Sequence, residues 1–334
     1  MKETIHISGN TPSEIDVAVL LIFFTRKEQT VKTFEQIRKA RPSRLYLYQD
    51  GPRINKHDDI NNILECRNAI ENMIDWECDV YKFYQEKNFG CDPSEYISQK
   101  WMFSIETKGI VIEDDDVMSV SFFRFCKELL DKYEFDTRVN MICGMNHLGI
   151  YDCCPYDYFF TQGGGAIWGW ASWRRVIDQW DPNYSLLEDK YTLKLLKANI
   201  GSARLKAFLS TCKHHKETGR EHYESIFGYN RYINSTFNIV PSKNMTCNIG
   251  IAAESTHSVS NLNLLPKKVR GQLYMKTYEL EFPLKHPKCL IDEKIYKHKL
   301  DELLGGKWYE RLFHTRKIES LIYRISASIV KDHK

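Results

Sequence analysis

The stretch Gly109-Ile110-Val111-Ile112-Glu113-Asp114-Asp115-Asp116-Val117 constrains the fold more than any other part of the chain. A strand with one face in water alternates apolar and polar residues. Ile110, Val111 and Ile112 instead form an unbroken apolar run, the pattern of a strand buried on both faces of a parallel sheet. The sequence then turns acidic at once, so four carboxylates emerge at the strand's carboxyl end. In open α/β sheets that end is where ligands bind, and grouped carboxylates suit a hard divalent cation that keeps waters and accepts phosphate oxygens. The same acids also suit the N-terminus of a following helix, which Ser119 would cap. On this stretch alone the two readings stand level.

The sequence before the acids supplies the rest of such a sheet. Asp16 to Phe24 reads as a buried strand, and Thr25 with Glu28 forms a capping box before a helix carrying Val31, Phe34 and Ile37. Pro42 ends that helix, and Arg44 to Tyr48 forms a second strand closed by the turn Gln49-Asp50-Gly51-Pro52. A polar helix around Asp58 to Asp75 leads to a third strand near Val80 to Tyr84. After the loop Asn88-Phe89-Gly90-Cys91, Asp92, Pro93 and Glu95 read as the N-cap, first-turn proline and capping acid of another helix. Strands alternating with crossover helices predict an α/β fold with a mostly parallel sheet covered on both faces. No Gly-x-Gly-x-x-Gly follows the first strand and no Gly-x-x-x-x-Gly-Lys-Ser/Thr occurs, which disfavours a dinucleotide dehydrogenase or P-loop ATPase.

Length allows this to be one elaborated unit, since 334 residues can bury a large core. A net charge of only +3 argues against nucleic acid as a partner. Polar sequence at Met1-Lys2-Glu3-Thr4 and the lack of a long apolar run predict neither signal peptide nor membrane span. The ten cysteines are scattered, with one adjacent pair, Cys153-Cys154, and no zinc spacing, as expected of reduced thiols in a cytoplasmic protein.

Beyond the acids, Val120 to Leu130 reads as a helix with a large apolar face and Val139 to Cys143 as another strand. The segment Tyr158 to Arg175 joins the glycines 163–165 to three tryptophans. Glycines such as Gly164 let backbone amides approach hydroxyls and phosphate, and an aromatic face such as Trp170 packs on the C–H surface of a sugar ring. The alternative is a glycine turn followed by a helix with its tryptophans in the core. Leu186 to Cys212 looks helical, and His214 to His222 reads as a loop. At the C-terminus, Ile318, Leu321, Ile322, Ile325 and Ile329 recur at helical spacing beside basic residues, predicting a helix that docks on its own domain, with a membrane-surface helix as the alternative.

Taken in order, these motifs resemble GT-A glycosyltransferases, especially bacterial sugar transferases related to N-acetylglucosaminyltransferase I. The likeness spans about Val17 to His257 and rests on Gln49-Asp50-Gly51-Pro52-Arg53, Asn88-Phe89-Gly90-Cys91, Val111 to Asp115, Ile167 to Trp173, Tyr223-Glu224, and Asn248-Ile249-Gly250 before Ser255-Thr256-His257. It implies a Rossmann-like catalytic domain over about 1–260, with a donor half near 15–145 and an acceptor half near 146–260. A helical extension over 261–334 would follow. It also implies transfer of a sugar from a nucleotide diphosphate donor, expected to be a UDP-sugar, to a glycan or lipid-linked glycan acceptor, with inversion. By the same resemblance Asp115 ligates Mn²⁺ or Mg²⁺, His257 adds a contact to metal or diphosphate, and Asp114 faces the donor. Asp116 is left as an extra or capping acid. Asp50 reads the uracil, and Thr25-Arg26 lies beside the nucleotide. Glu224 takes the position of the catalytic base, where relatives usually carry Asp, and Glu221 is the second choice. The basic terminal helix fits a peripheral contact with the cytoplasmic membrane and a role in surface polysaccharide assembly. Two other classes stay open: a binding protein on the same fold without catalysis, and a sugar nucleotidyltransferase, which also presents carboxylates to a divalent ion.

Overall fold

The structure, a computed structural model, describes residues 2–181, 183–219, 230–250 and 270–304. Strand β1 (Lys2–Ile7) precedes the alternating run β2 (Ile15–Phe23), α1 (Lys27–Ala40), β3 (Pro42–Gln49), α2 (Asp58–Asn72), β4 (Cys78–Tyr84), α3 (Cys91–Ile105) and β5 (Lys108–Glu113). Then come β6 (Asp116–Met118), α4 (Ser121–Lys132), β7 (Val139–Cys143), β8 (Tyr158–Thr161), β9 (Trp170–Trp173) and the short α5 (Arg174–Ile177). A 3-10 turn (Ser185–Glu188), helices α6 (Lys190–Ile200) and α7 (Ser202–Thr218), strands β10 (Phe237–Pro241) and β11 (Thr246–Asn248), and helix α8 (Lys294–Leu304) complete the described elements.

Nine strands form one sheet in the order β1-β4-β3-β2-β5-β9-β7-β10-β8. The neighbours from β4 to β5 are parallel. Strand β9 is antiparallel to both β5 and β7, so those two share a direction, and β10 follows β7 in parallel. Only β9 and the edge strands β1 and β8 run the other way. The sheet is thus α/β and mostly parallel, as the unbroken apolar runs require. Val19, Leu20, Leu21, Ile110 and Ile112 are completely buried, which stabilises the fold by about 1.5–3 kcal/mol for each large apolar side chain.

Strand order fixes where a site can form. From β2 the chain steps through α1 to β3 and through α2 to β4, then returns through α3 to β5 on the other side of β2. Because parallel crossovers are right-handed, α1 and α2 lie on one face and α3 on the opposite one. The carboxyl ends of β2 and β5 flank the point of reversal, where open α/β sheets leave a crevice.

Several local expectations give way to tertiary contacts. Helix α1 begins after Arg26 with no side-chain cap, because Thr25 and Glu28 do not form the expected box. Helix α3 starts at Cys91 after Gly90 (φ 88°), so Asp92 and Pro93 lie inside its first turn. Asp116 and Ser119 do not cap α4. Asp116 is in β6, and the backbone N–H groups of Val120 and Ser121 donate to the Glu279 carboxylate at 3.0 and 2.7 Å. Residues 214–218, expected in a loop, are the end of α7, with His215 buried edge-on against Tyr184. The tryptophan segment is strand β9 rather than a helix. Residues 270–304 pack back on the sheet: Tyr296 of α8 is buried against Phe159 and Tyr151. The basic segment around Ile318 to Ile329 lies outside the described residues.

Candidate functional site

At the β2/β5 reversal a cleft of about 110 Å³ opens between the strand ends and the start of α3. Its lining includes Phe24, Thr25, Arg26, Asp50, Arg53 and Asp114. Four of these were singled out from the sequence alone. Phe24 and Arg53 were not. Phe24 offers a half-buried ring at the end of β2, and Arg53 stacks over it at 5.3 Å while a two-pronged bond to Asp59 holds its guanidinium, 2.7 Å on each prong. The signal for Arg53 was present in the turn Gln49 to Arg53, although its partner Asp59 lies in the next helix.

Two turns build one wall. A side chain at Gly51 would come within 2.6 Å of the Lys87 backbone, so the chain passes there only as glycine. The Asn88 amide donates to the Gly51 carbonyl at 2.8 Å and to Asp50 Oδ2 at 2.9 Å. Asp50 Oδ1 accepts from the backbone N–H groups of Gly51 and Phe89, and Oδ2 from those of Phe89 and Gly90, at 2.9–3.1 Å. A carboxylate has about four acceptor positions. Those of Asp50 are taken up by its own loops, so it shapes the cleft rather than presenting open lone pairs to a base.

The acids form a second wall with a cation set among them. Arg26 grips Asp114 through Nη2 and, at 3.3 Å, through Nε, while Nη2 also meets Asp115 Oδ2 at 2.9 Å. Arg26 Nη1 donates to the Gly250 carbonyl at 3.4 Å. Asn248 donates from Nδ2 to Asp115 Oδ1 at 3.1 Å and to Asp116 Oδ1 at 3.0 Å. Strand β11 positions it by pairing Asn248 opposite Asp116 on β6. A Cβ on Gly250 would run into Asp115 Oδ2, so glycine is required for this approach. Thus three motifs far apart in sequence meet at one point.

Burial dominates the electrostatics. It lifts the Asp114 pKa to about 6 against the pull of Arg26, with Asp115 adding to the rise. Burial and the neighbouring carboxylates of Glu95, Asp116, Asp115 and Asp114 push Glu113 well up. Asp116 is pushed up by burial and by Asp115, against its bond from Asn248. Glu95, expected to cap α3, is instead a buried neighbour of this cluster that accepts from Gln99 at 3.0 Å. Nothing local in the sequence separates that role from capping.

The donor chemistry suits a hard divalent ion: all the groups are carboxylate oxygens, and buried Asp116 Oδ2 has no hydrogen-bond partner among the described residues. Among those residues no three carboxylate, imidazole or thiolate groups are arranged to hold an ion. Arg26 and Asn248 engage both oxygens of Asp115 instead. His257, Glu221 and Glu224 lie outside the described residues.

The glycine–tryptophan segment does not reach the cleft lining. Trp170 is 1% exposed within β9, opposite Val111 on one side and Cys143 on the other, so its face is unavailable to a sugar. The alternation expected of a one-sided strand is absent because β9 is covered on both faces. Gly164 is buried, and its carbonyl accepts from Arg231 at 2.8 Å and Asn238 at 3.0 Å. A Cβ on it would come within 2.8 Å of the Tyr296 ring, so this glycine makes room for α8.

No protein-family model and no curated protein matches the sequence. Among solved structures, a UDP-glucose pyrophosphorylase complexed with UDP-glucose is 11% identical, with 70% of this chain and 93% of that chain covered and a TM-score of 0.36. The glycosyltransferase GlyE of Streptococcus pneumoniae TIGR4 is 11% identical over 53% of this chain and 40% of its own, with a TM-score of 0.30. Its apo form is 8% identical over 94% and 64%, with a TM-score of 0.31. Likeness of this degree identifies neither substrate nor chemistry.

Proposed function

We propose that the chain is a glycosyltransferase that moves a sugar from a nucleotide diphosphate donor, a UDP-sugar, to a hydroxyl of a glycan acceptor with inversion. The observation that carries this reading is the cleft at the β2/β5 reversal, where an aromatic ring, two arginines and a cluster of acids face one space at the carboxyl edge of the sheet. Such a space separates naturally into a base end, between Phe24 and the turns held by Asp50, and a diphosphate end at Arg26. A divalent ion, Mn²⁺ or Mg²⁺, held by Asp115 with His257 would neutralise charge on the departing diphosphate.

The remaining chemistry belongs to the chain. An acceptor hydroxyl attacks the anomeric carbon from the side opposite the diphosphate, its oxygen forms the new bond as the bond to the diphosphate breaks, and Glu224 takes the proton. Glu221 is the alternative base. A positioned base of this kind contributes about 10²–10⁴-fold. The acceptor we infer is a glycan on a lipid-linked precursor of a surface polysaccharide. Residues 305–334 would supply its membrane contact; among the described residues no helix is long and apolar enough to cross a membrane.

Incubation with a panel of sugar nucleotides and glycan acceptors tests this proposal. Acceptor-dependent release of free nucleoside diphosphate is the expected result. Formation of nucleoside triphosphate when pyrophosphate replaces the acceptor would assign the same cleft to a nucleotidyltransferase. Binding without turnover in either assay would leave only a binding protein.

A further inference from the structure

Arg26 occupies the position in the acid cluster where a cation is needed, and its contacts are too complete for a side chain that merely lines a cleft. Three of its nitrogens are engaged, on Asp114, Asp115 and the Gly250 carbonyl. The side chain projects from the N-cap position of α1, at the end of β2, and remains 17% exposed toward the cleft. Asp115 has one oxygen on Arg26 and the other on Asn248. Each carboxylate oxygen has a second acceptor position, so a divalent ion on Asp115 Oδ2 would share that atom with the Arg26 guanidinium, and one on Oδ1 would share it with the neutral Asn248 amide. Asn248 is fixed by the β11–β6 pairing and also holds Asp116. Arg26 lines the cleft, whereas Asn248 is not among its lining residues. A guanidinium left beside a bound dication would be repelled, whereas a diphosphate entering the cleft offers it two-pronged anionic partners.

We propose that Arg26 is an exchangeable counter-cation: it closes the Asp114–Asp115 pair in the empty protein and transfers to the donor's diphosphate when a divalent ion takes its place. This deepens the glycosyltransferase reading and rests on it. Two consequences follow from the geometry. The empty protein binds divalent ions weakly because Arg26 competes for Asp115. Ion and nucleoside diphosphate then bind synergistically, each strengthening the other by the same factor, because each removes the obstacle to the other.

The test is calorimetric titration of Mn²⁺ into the full-length protein, with and without UDP, for the parent chain and for Arg26→Gln, Arg26→Lys and Asp115→Asn. Thermal unfolding confirms that each variant is folded. In Arg26→Gln, Mn²⁺ binds the UDP-free protein about 5–150-fold more tightly, the usual span of coupling between two sites, and the enhancement by UDP seen in the parent shrinks. Arg26→Lys, which keeps the charge without the fork, falls between the two and decides the matter if Arg26→Gln does not fold. Asp115→Asn abolishes Mn²⁺ uptake, alone or combined with Arg26→Gln. Unchanged or weaker Mn²⁺ affinity in the folded Arg26 variants overturns the exchange, as does Mn²⁺ binding that survives Asp115→Asn. If UDP binds none of the proteins at any ion concentration, the nucleotide reading fails instead. The Mn²⁺ titration without UDP then still reports whether Arg26 competes for Asp115.

Discussion

Replacing Asp50 by Asn tests whether this carboxylate builds the cleft or reads a base. The amide is isosteric, but it can accept on one side only. With its oxygen facing Gly51 and Phe89, its NH₂ points at two donors, the Gly90 N–H and the Asn88 amide, both 2.9 Å from the present Oδ2. Reversing the amide sets the NH₂ against the Gly51 and Phe89 N–H groups instead. Turning the Asn88 amide would relieve one conflict but lose its bond to the Gly51 carbonyl. Two orphaned buried donors cost about 1–3 kcal/mol each, and water at the cleft mouth recovers part of that, so the loss is about 2–4 kcal/mol. In a chain of this size that lowers Tm by about 3–6 °C, read by calorimetry or circular dichroism. Because the loss is one of wall geometry, affinities for UDP, CDP and ADP should fall together. A Tm within about 1 °C of the parent, combined with a changed ranking of the three nucleotides, would refute the loop-building role and return Asp50 to base recognition.

Trp170→Phe should cost about 1–3 kcal/mol through a core cavity and leave the ranking of donor sugars unchanged; an altered ranking without loss of stability would restore a sugar contact. Glu279→Gln weakens the charged partner of the first turn of α4 and should lower stability by about 0.5–2 kcal/mol in thermal or denaturant unfolding, with the effect fading as salt rises. Burial lowers the pKa of both His147 and His286 in the folded chain, so between their folded values and the unfolded value near 6.5 the unfolded state binds more protons. Stability should hold above about pH 6.5 and decline below it, and His147→Gln should flatten that decline in urea unfolding followed from pH 7 to 5.

The elements that were legible from sequence are those whose burial is complete and local. Strands β2, β3 and β5 announce themselves by apolar runs, and α4 by its stripe of Phe122, Phe125, Cys126 and Leu129. Strand β1 went unseen because an exposed edge strand, Lys-Glu-Thr-Ile-His-Ile, carries too few apolar residues to stand out. Strand β9 was hidden by Trp170 and Trp173, whose spacing of three suits a helix as well as a strand buried on both faces. The capping signals misled where charge had a stronger claim: Arg26 serves the acids rather than a Thr25 box, and Glu279 reaches α4 from a segment 158 residues away. At the site, the acidic run and the turns at 49–53 and 88–91 were legible as chemistry. Their assembly was not, since the contacts of Arg26 with Asp114 and of Asn248 with Asp115 span 88 and 133 residues.

The start of α3 sets the direction in which a nucleotide can lie. A helix N-terminus ordinarily offers free N–H groups and a partial positive charge to a phosphate. Here the Gly90 and Phe89 N–H groups at that end already donate to Asp50, a resident anion that belongs to the fold. A phosphate approaching α3 would meet a carboxylate where it ordinarily finds a dipole. On the proposed reading, the negative end of a donor would turn away from that helix and toward Arg26, with the uncharged base along the Asp50 wall. One internal carboxylate thus polarises the cleft, and under the proposed function it would favour one orientation of a bound nucleotide.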